Sequence, residues 1–283
     1  MNKHLCAVGL SLCLIAGGAV GQQRQQTGIF GAGQPGEVSI VRMEAKKLGL
    51  KNFKMDSRQV DGRLAIDGFS GNLGNGTLQG QGLVDWSRPQ DAQRMTIQVQ
   101  NVPAMELFNA FKVKLNARID AIASGVIDTQ WRGVRGTTPR ETMNGSVRIQ
   151  LGPGRISGAD VLRHAASYTG IAEVQQLEFQ SAVIEGTIRD GMMSVTRLDF
   201  IGTDRSAKGV GALDLRTEEL RLKFEGYLAP ALIARSTNPQ VRALGKSGGA
   251  SQVRVPLPVI FSGNARAPQF SMAWETAREV SQR

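Results

Sequence analysis

"RDGMMSVTRLDFIGTDRSAKGVGALDL", residues 189 to 215, reads as strand, turn, strand. Its charged residues are single and scattered, and its glycines fall where a chain turns. Laid without a gap on residues 60 to 86, at an offset of 129, it matches Asp190-Gly191 to Asp61-Gly62 and Gly209 to Gly80. The same offset matches Gly211 to Gly82, Leu213 to Val84 and Asp214 to Asp85. A strand-turn-strand unit is therefore expected twice in this chain.

The period of two continues outside that pair. Met95, Ile97 and Val99 alternate with polar residues, as do Val147, Ile149 and Leu151, then Leu220, Leu222 and Phe224, while Val253, Val255, Leu257 and Val259 alternate with Arg254, Pro256 and Pro258. Each run is a strand with one apolar and one wet face. Turn signals separate such runs at Gly71-Asn72, Gly74-Asn75-Gly76, Asp190-Gly191, Gly202-Thr203-Asp204 and Ser262-Gly263-Asn264. Helical signals are few. Residues 157–170 offer a serine or aspartate cap, apolar Val161, Leu162, Ala165 and Ala166, and a terminating Gly170. Residues 104–112 put Leu107, Phe108 and Phe111 on one side, and the last nine residues could form a polar helix.

The pattern predicts a mainly β chain, a long curved antiparallel sheet forming an open trough with two or three short helices. A sheet with so little helical cover must curl, stack on another sheet or be filled, and curling leaves an apolar interior with open ends. An apolar strip of that size marks a binding site. The wall candidates are Val147, Ile149 and Leu151; Leu177, Phe179 and Val183; Leu220, Leu222 and Phe224; and Val253, Val255, Leu257 and Val259. Fifteen strands about 4.8 Å apart would give a trough of roughly 70 Å.

Hydrophobic residues make up 41% of the 283 and aromatics only 5%, so the core is expected to be aliphatic. Residues 1–21 have the charged start, apolar centre and small residues of a cleaved secretory signal peptide, an uncleaved anchor being the alternative. Both cysteines lie in that leader, which leaves the mature chain without a thiol. A flexible lead-in is expected at 22–36, a β-repeat region at 37–135, a C-terminal β domain at 136–275 and a polar tail at 276–283. The net charge of +10 is spread singly, with only 2 Tyr and 3 Trp for stacking, so no nucleic acid partner is expected. A surface facing anionic lipid accounts for the same charge.

Catalytic chemistry finds little to stand on. The mature chain has one histidine, His164, with no nucleophile and orienter in a recognisable motif around it. Carboxylates are single, except Glu218-Glu219 in an expected solvated turn, and none has metal-ligand spacing. Gly31-x-Gly33-x-x-Gly36 has the spacing of a dinucleotide fingerprint but neither follows a strand nor opens a helix. No enzyme activity, cofactor or metal is expected. Pro256 and Pro258 each remove a ladder donor, which predicts an edge strand.

Three stretches carry a resemblance: "MNGSVRIQLGPGRISGADVLRHA" (143–165), "LEFQSAVIEGTIRDGMMSVTRLDFIGTDRSAKGVGALDLRTEELRLKFEG" (177–226) and "VPLPVIFSGNARAPQFSMAW" (255–274). Together they resemble the C-terminal domain of the AsmA family of envelope proteins, relatives of TamB. The resemblance implies a periplasmic protein with a lipid groove, linked to outer-membrane integrity and to movement of phospholipids, and no catalytic residues. Phospholipid or another acyl lipid, envelope membranes and a larger envelope protein met through a sheet edge are the partners it suggests. The rival expectation is a structural or adhesive exported protein whose β core is closed.

Overall fold

The computed structural model describes residues 49–272, apart from 61–62, 86–87, 89, 111–116, 134–137, 246–250 and 266–267. The expected leader, the expected lead-in with its spaced glycines, Phe111 and the expected polar C-terminal helix lie outside the described residues. Period-two runs become the strands β1 (Lys51–Val60), β2 (Arg63–Leu73), β3 (Gly76–Asp85) and β4 (Gln93–Pro103), followed by helix α1 (Ala104–Ala110). Then come β5 (Arg118–Asp120), β6 (Ile122–Trp131), β7 (Asn144–Leu151), β8 (Gly154–Ser157), α2 (Asp160–Thr169) and β9 (Leu177–Phe179). The second half adds β10 (Ser181–Arg189), β11 (Met192–Ile201), β12 (Arg205–Asp214) and β13 (Glu219–Leu228). Two short helices, α3 (Pro230–Ile233) and α4 (Pro239–Leu244), precede β14 (Val253–Asn264) and β15 (Gln269–Met272).

Twelve strands form one antiparallel sheet, ordered β1-β2-β3-β4-β6-β7-β10-β11-β12-β13-β14-β15, and β5, β8 and β9 form a small second sheet. The large sheet is not closed into a barrel, because its first and last strands are not paired to each other. At a strand spacing near 4.8 Å it extends about 50 Å, shorter than fifteen strands in one sheet would reach.

The repeat seen in the sequence extends to single irregularities of pairing. The β2·β3 ladder slips between Ile66 and Phe69, and the β11·β12 ladder slips between Val195 and Leu198, at the same offset. The β1·β2 ladder slips between Asp56 and Ser57, and β10·β11 between Glu185 and Gly186, again at that offset. The twelve-stranded sheet is thus two six-stranded units, each a four-strand meander, a helical insertion and two further strands. The extra residue of each slip lies on β2 or β11, where the inward-facing set changes parity, so Leu64 and Ile66 share a face with Phe69 and Leu73. Gly80 and Gly209 sit where a Cβ would overlap the rings of Phe69 and Phe224, so each glycine leaves room for the ring of its ladder partner.

Side chains of the inner face form one core from Leu50 to Leu215. Leu64, Leu78, Met95, Ile97 and Ile127 are at most 1% exposed. Helix α1 contributes buried Ala104, Leu107 and Ala110, with Phe108 half-buried against the same core. A smaller cluster joins Ile171, Leu228, Leu232, Ile233, Val241 and Val255 where α3 and α4 meet β13 and β14.

Several local expectations are corrected. Gly71-Asn72 lies inside β2, paired with Leu78 and Thr77, and Ser262-Gly263-Asn264 ends β14 paired with β13. Polar small residues are allowed in these strands because their ladder partners supply the order. Glu218 is not a solvated turn residue: it forms an ion pair with Arg140 at 3.0 Å, and both side chains are 13% exposed. The β14 strand pairs on both sides, but only Val259–Ser262 faces β15. The prolines fall in a bulge, where three residues between Val255 and Val259 oppose Glu225 alone.

Asp85 and Asp214, matched by the repeat, do the same work at the ends of β3 and β12. The Asp85 Oδ1 accepts the N–H of Arg88 at 2.9 Å. The Asp214 Oδ1 accepts the N–H groups of Arg216 (2.8 Å) and Thr217 (3.4 Å), while the Arg216 guanidinium grips both carboxylate oxygens. Those bonds, the Arg216 side chain first, hold the Asp214 carboxyl at about 2, against an ordinary 3.8. The stabilisation is complete above the unfolded value and is lost as pH falls from about 4 to about 2. Asp214→Asn is expected to cost about 1–2 kcal/mol at pH 7 and to flatten the loss of melting temperature across that acid window. Thermal melts of both proteins from pH 7 to pH 2 check this; parallel curves would refute it.

Candidate functional site: an apolar cavity beneath helix α2

Helix α2 opens at Ala159, whose backbone is extended and whose side chain makes no cap. The expected serine or aspartate cap is not used, since Asp160 is already helical and pairs with Arg163. Gly170 ends the helix with φ 65°, its N–H donating to the carbonyl of Ala166 at 2.8 Å. Beyond it, the Ser236 hydroxyl donates to the Thr169 carbonyl, and Asn238 Nδ2 donates to the Tyr168 carbonyl at 3.0 Å. The C-terminal end of α2 is therefore tied to the α3–α4 connection.

Between α2 and the inner side of β12–β15 lies a cavity of about 350 Å³. Leu177, Phe200, Leu228 and Val255 line it and are buried, whereas Val161, Ala165, Phe261 and Phe270 line it and are half-buried. The first group marks the deep end and the second the mouth. Ile119 and Ile156 of the small sheet add to the wall. A run of rings crosses the mouth: Phe224 to Phe261 at 5.4 Å, edge to face, Phe261 to Phe270 at 6.4 Å, and Phe270 to His164 at 5.4 Å.

Arg205 is the one cation among the described lining residues, and it is 8% exposed. Its guanidinium donates to both carboxylate oxygens of Asp204, at 2.9 and 3.0 Å, and to the carbonyls of Gln176 (3.0 Å) and Glu173. The hydrogen bond to Asp204 raises the Arg205 pKa and lowers that of Asp204. Asp160 and Glu225, the acidic lining residues, pair with Arg163 and with Arg254. The wall is apolar, and its charges are already matched.

A family model described as the AsmA family matches residues 24–198, well over half of the chain. The chain belongs to the AsmA family. The match takes in the first stretch that carried the resemblance and the second as far as Leu198, and it adds the first six-stranded unit. Searches among curated proteins and among solved structures found no match. The AsmA family is associated with the cell envelope. Among the described residues of this AsmA-family chain, no helix is long and apolar enough to cross a membrane.

The wall candidates separate into groups. Leu177, Phe224, Val255 and Val259 line the cavity. Val147, Ile149, Leu151 and Phe179 are buried in the main core, so their face is covered by other side chains rather than open. Leu220 and Leu222 are half-buried on the inner side of β13, and Leu222 packs against the core edge. Val253 packs against the smaller cluster, and the side chain of Leu257 lies outside the described residues. Val183 is corrected: it stands opposite Gln150 and Asp199 on the outer face, while its neighbour Ile184 faces Ile149 and Leu198 inside. The odd-numbered set Leu177, Phe179 ends where the chain leaves the small sheet, and β10 enters the large sheet with even numbers inward.

The sequence reading missed Phe200, Ala207, Phe261 and Phe270 as lining residues, as well as the α2 side chains Val161, Leu162 and Ala165. Phe261 continues the alternation of β14 by one step, and the α2 residues were legible as an apolar helix side. His164 is exposed on α2 with its ring against Phe270. No group of three metal-ligating side chains occurs among the described residues.

The inward-outward alternation of β13 is directly testable. Leu222→Asp puts a carboxylate against the core edge and is expected to cost about 1–3 kcal/mol. Arg221→Asp, on the exposed face one position away, is expected to cost less than about 0.5 kcal/mol. Equal melting temperatures for the two variants would refute this orientation.

Proposed function

We propose that this chain is a non-enzymatic, exported lipid-binding protein of the periplasm and cell envelope, with its ligand's acyl part in the cavity beneath α2. The observation that carries the reading is a cavity of about 350 Å³ walled by aliphatic and phenyl side chains, with its charged groups already paired. A pocket of that size and character suits a hydrocarbon group, whose transfer from water yields about 0.8 kcal/mol per methylene. Family membership supports a place in the envelope, and with it a role in outer-membrane integrity and phospholipid movement. The packed core over the other half of the sheet favours a rival reading, in which the chain is a closed structural protein.

The two readings differ in what the purified protein retains. Mature protein prepared from its producing cells under gentle conditions is expected to yield acyl lipid on organic extraction, at a near-stoichiometric level by mass spectrometry. Lipid no higher than in a parallel preparation of an unrelated exported protein would overturn the proposal and leave the structural reading.

A further inference from the structure

The inner face changes character along the sheet. Over β2 to β7 it is a filled core, with Leu64, Ile97 and Ile127 essentially without solvent contact. Over β12 to β15 it opens into the cavity, where Phe224, Phe261 and Phe270 are only half-buried. Between the two, Phe200 meets Phe179 edge to face at 5.5 Å, and both are buried. The apolar space thus has a mouth beside α2 and β15 and a floor at Leu177, Phe200, Leu228 and Val255, with packed side chains behind that floor.

We infer that the cavity is a blind socket for one acyl chain, entered methyl end first, with the headgroup left in solvent at the mouth. This rests on the lipid reading above and sharpens it. The floor gives the apolar space a finite length, so a chain that reaches it gains no further burial from additional methylenes. The headgroup goes unrecognised because each charge on the wall is already spent. Arg205 is saturated by Asp204 and two carbonyls, Glu225 is paired with Arg254, and Asp160 with Arg163. A socket with a floor holds a chain; it does not pass one along the sheet.

The test is a chain-length series on the intact mature protein. Saturated fatty acids and lysophosphatidylcholines of 8 to 18 carbons, kept below their micelle concentrations, displace a dansyl-tagged undecanoic acid. Affinity is expected to rise up to about fourfold per methylene, to level off before 18 carbons at one chain per protein, and to differ little between the two headgroups. Ala207→Phe, on the inner face of β12, is expected to move the plateau down by about four carbons, since a phenyl ring takes the room of about that many methylenes. Val210→Phe, on the exposed outer face of the same strand, should leave it in place.

Affinity still rising at 18 carbons, two chains per protein, or binding of diacyl phosphatidylcholine but not of the single-chain forms would overturn the socket and leave the lipid reading standing. Displacement by none of these amphiphiles would remove both. Because the wild-type series decides the question by itself, an unstable Ala207→Phe protein does not rescue the inference.

Discussion

Twelve antiparallel strands present one aliphatic face, and taking that face out of water is the constraint from which the rest of the architecture follows. Burial of apolar surface contributes roughly 25 cal/mol for each Å² removed from water, so a bare sheet of this extent is not a stable state. Over most of its length the sheet meets the constraint with its own side chains, and large residues fill the space that a curled sheet encloses. Near β12 to β15 they do not fill it, and α2 with the small sheet covers what remains. The cavity is the part of the constraint that the described residues leave unmet.

How the strands turn that face inward depends on bulges. A strict alternation over ten residues would send the second half of β2 outward, and the slip between Ile66 and Phe69 brings it back. The slip between Val195 and Leu198 repeats the correction in β11. Glycines make two ring positions possible, Gly80 of β3 beside Phe69 of β2 and Gly209 of β12 beside Phe224 of β13. The capping aspartates Asp85 and Asp214 then end the second strand of each hairpin in the same way.

What the sequence revealed and what it hid follow from these local rules. Unbroken alternation in Val147, Ile149 and Leu151 or in Leu220, Leu222 and Phe224 gave the inward face directly. Val183 was misplaced because nothing in its residue types records the change of sheet at Gln180 that reverses the parity. The duplicated hairpin was visible through its glycines and aspartates, but the equivalence of six strands with six appears only when ladders can be compared slip by slip. Whether an inward residue faces a filled core or a cavity depends on atoms far away in sequence. Leu151 and Phe224 look alike as letters, yet one is buried and the other walls a space.

The duplication also bears on how the chain reaches this state. Two hairpins with the same slip and the same terminal aspartate are near-equivalent partners for any strand still unpaired, and exchange of like for like is a known failure of repetitive chains. Here each meander pairs sequence neighbours through short turns, so its contacts close early and locally. The seam between β7 and β10 comes later, because β8, α2 and β9 must first be laid down between them. Arg140 and Glu218 then clasp across 78 residues of chain, a contact that exists only when the correct second meander has arrived. The ion pair ties the β6–β7 connection to the turn between β12 and β13, and so favours the native order of the two meanders over an exchanged one.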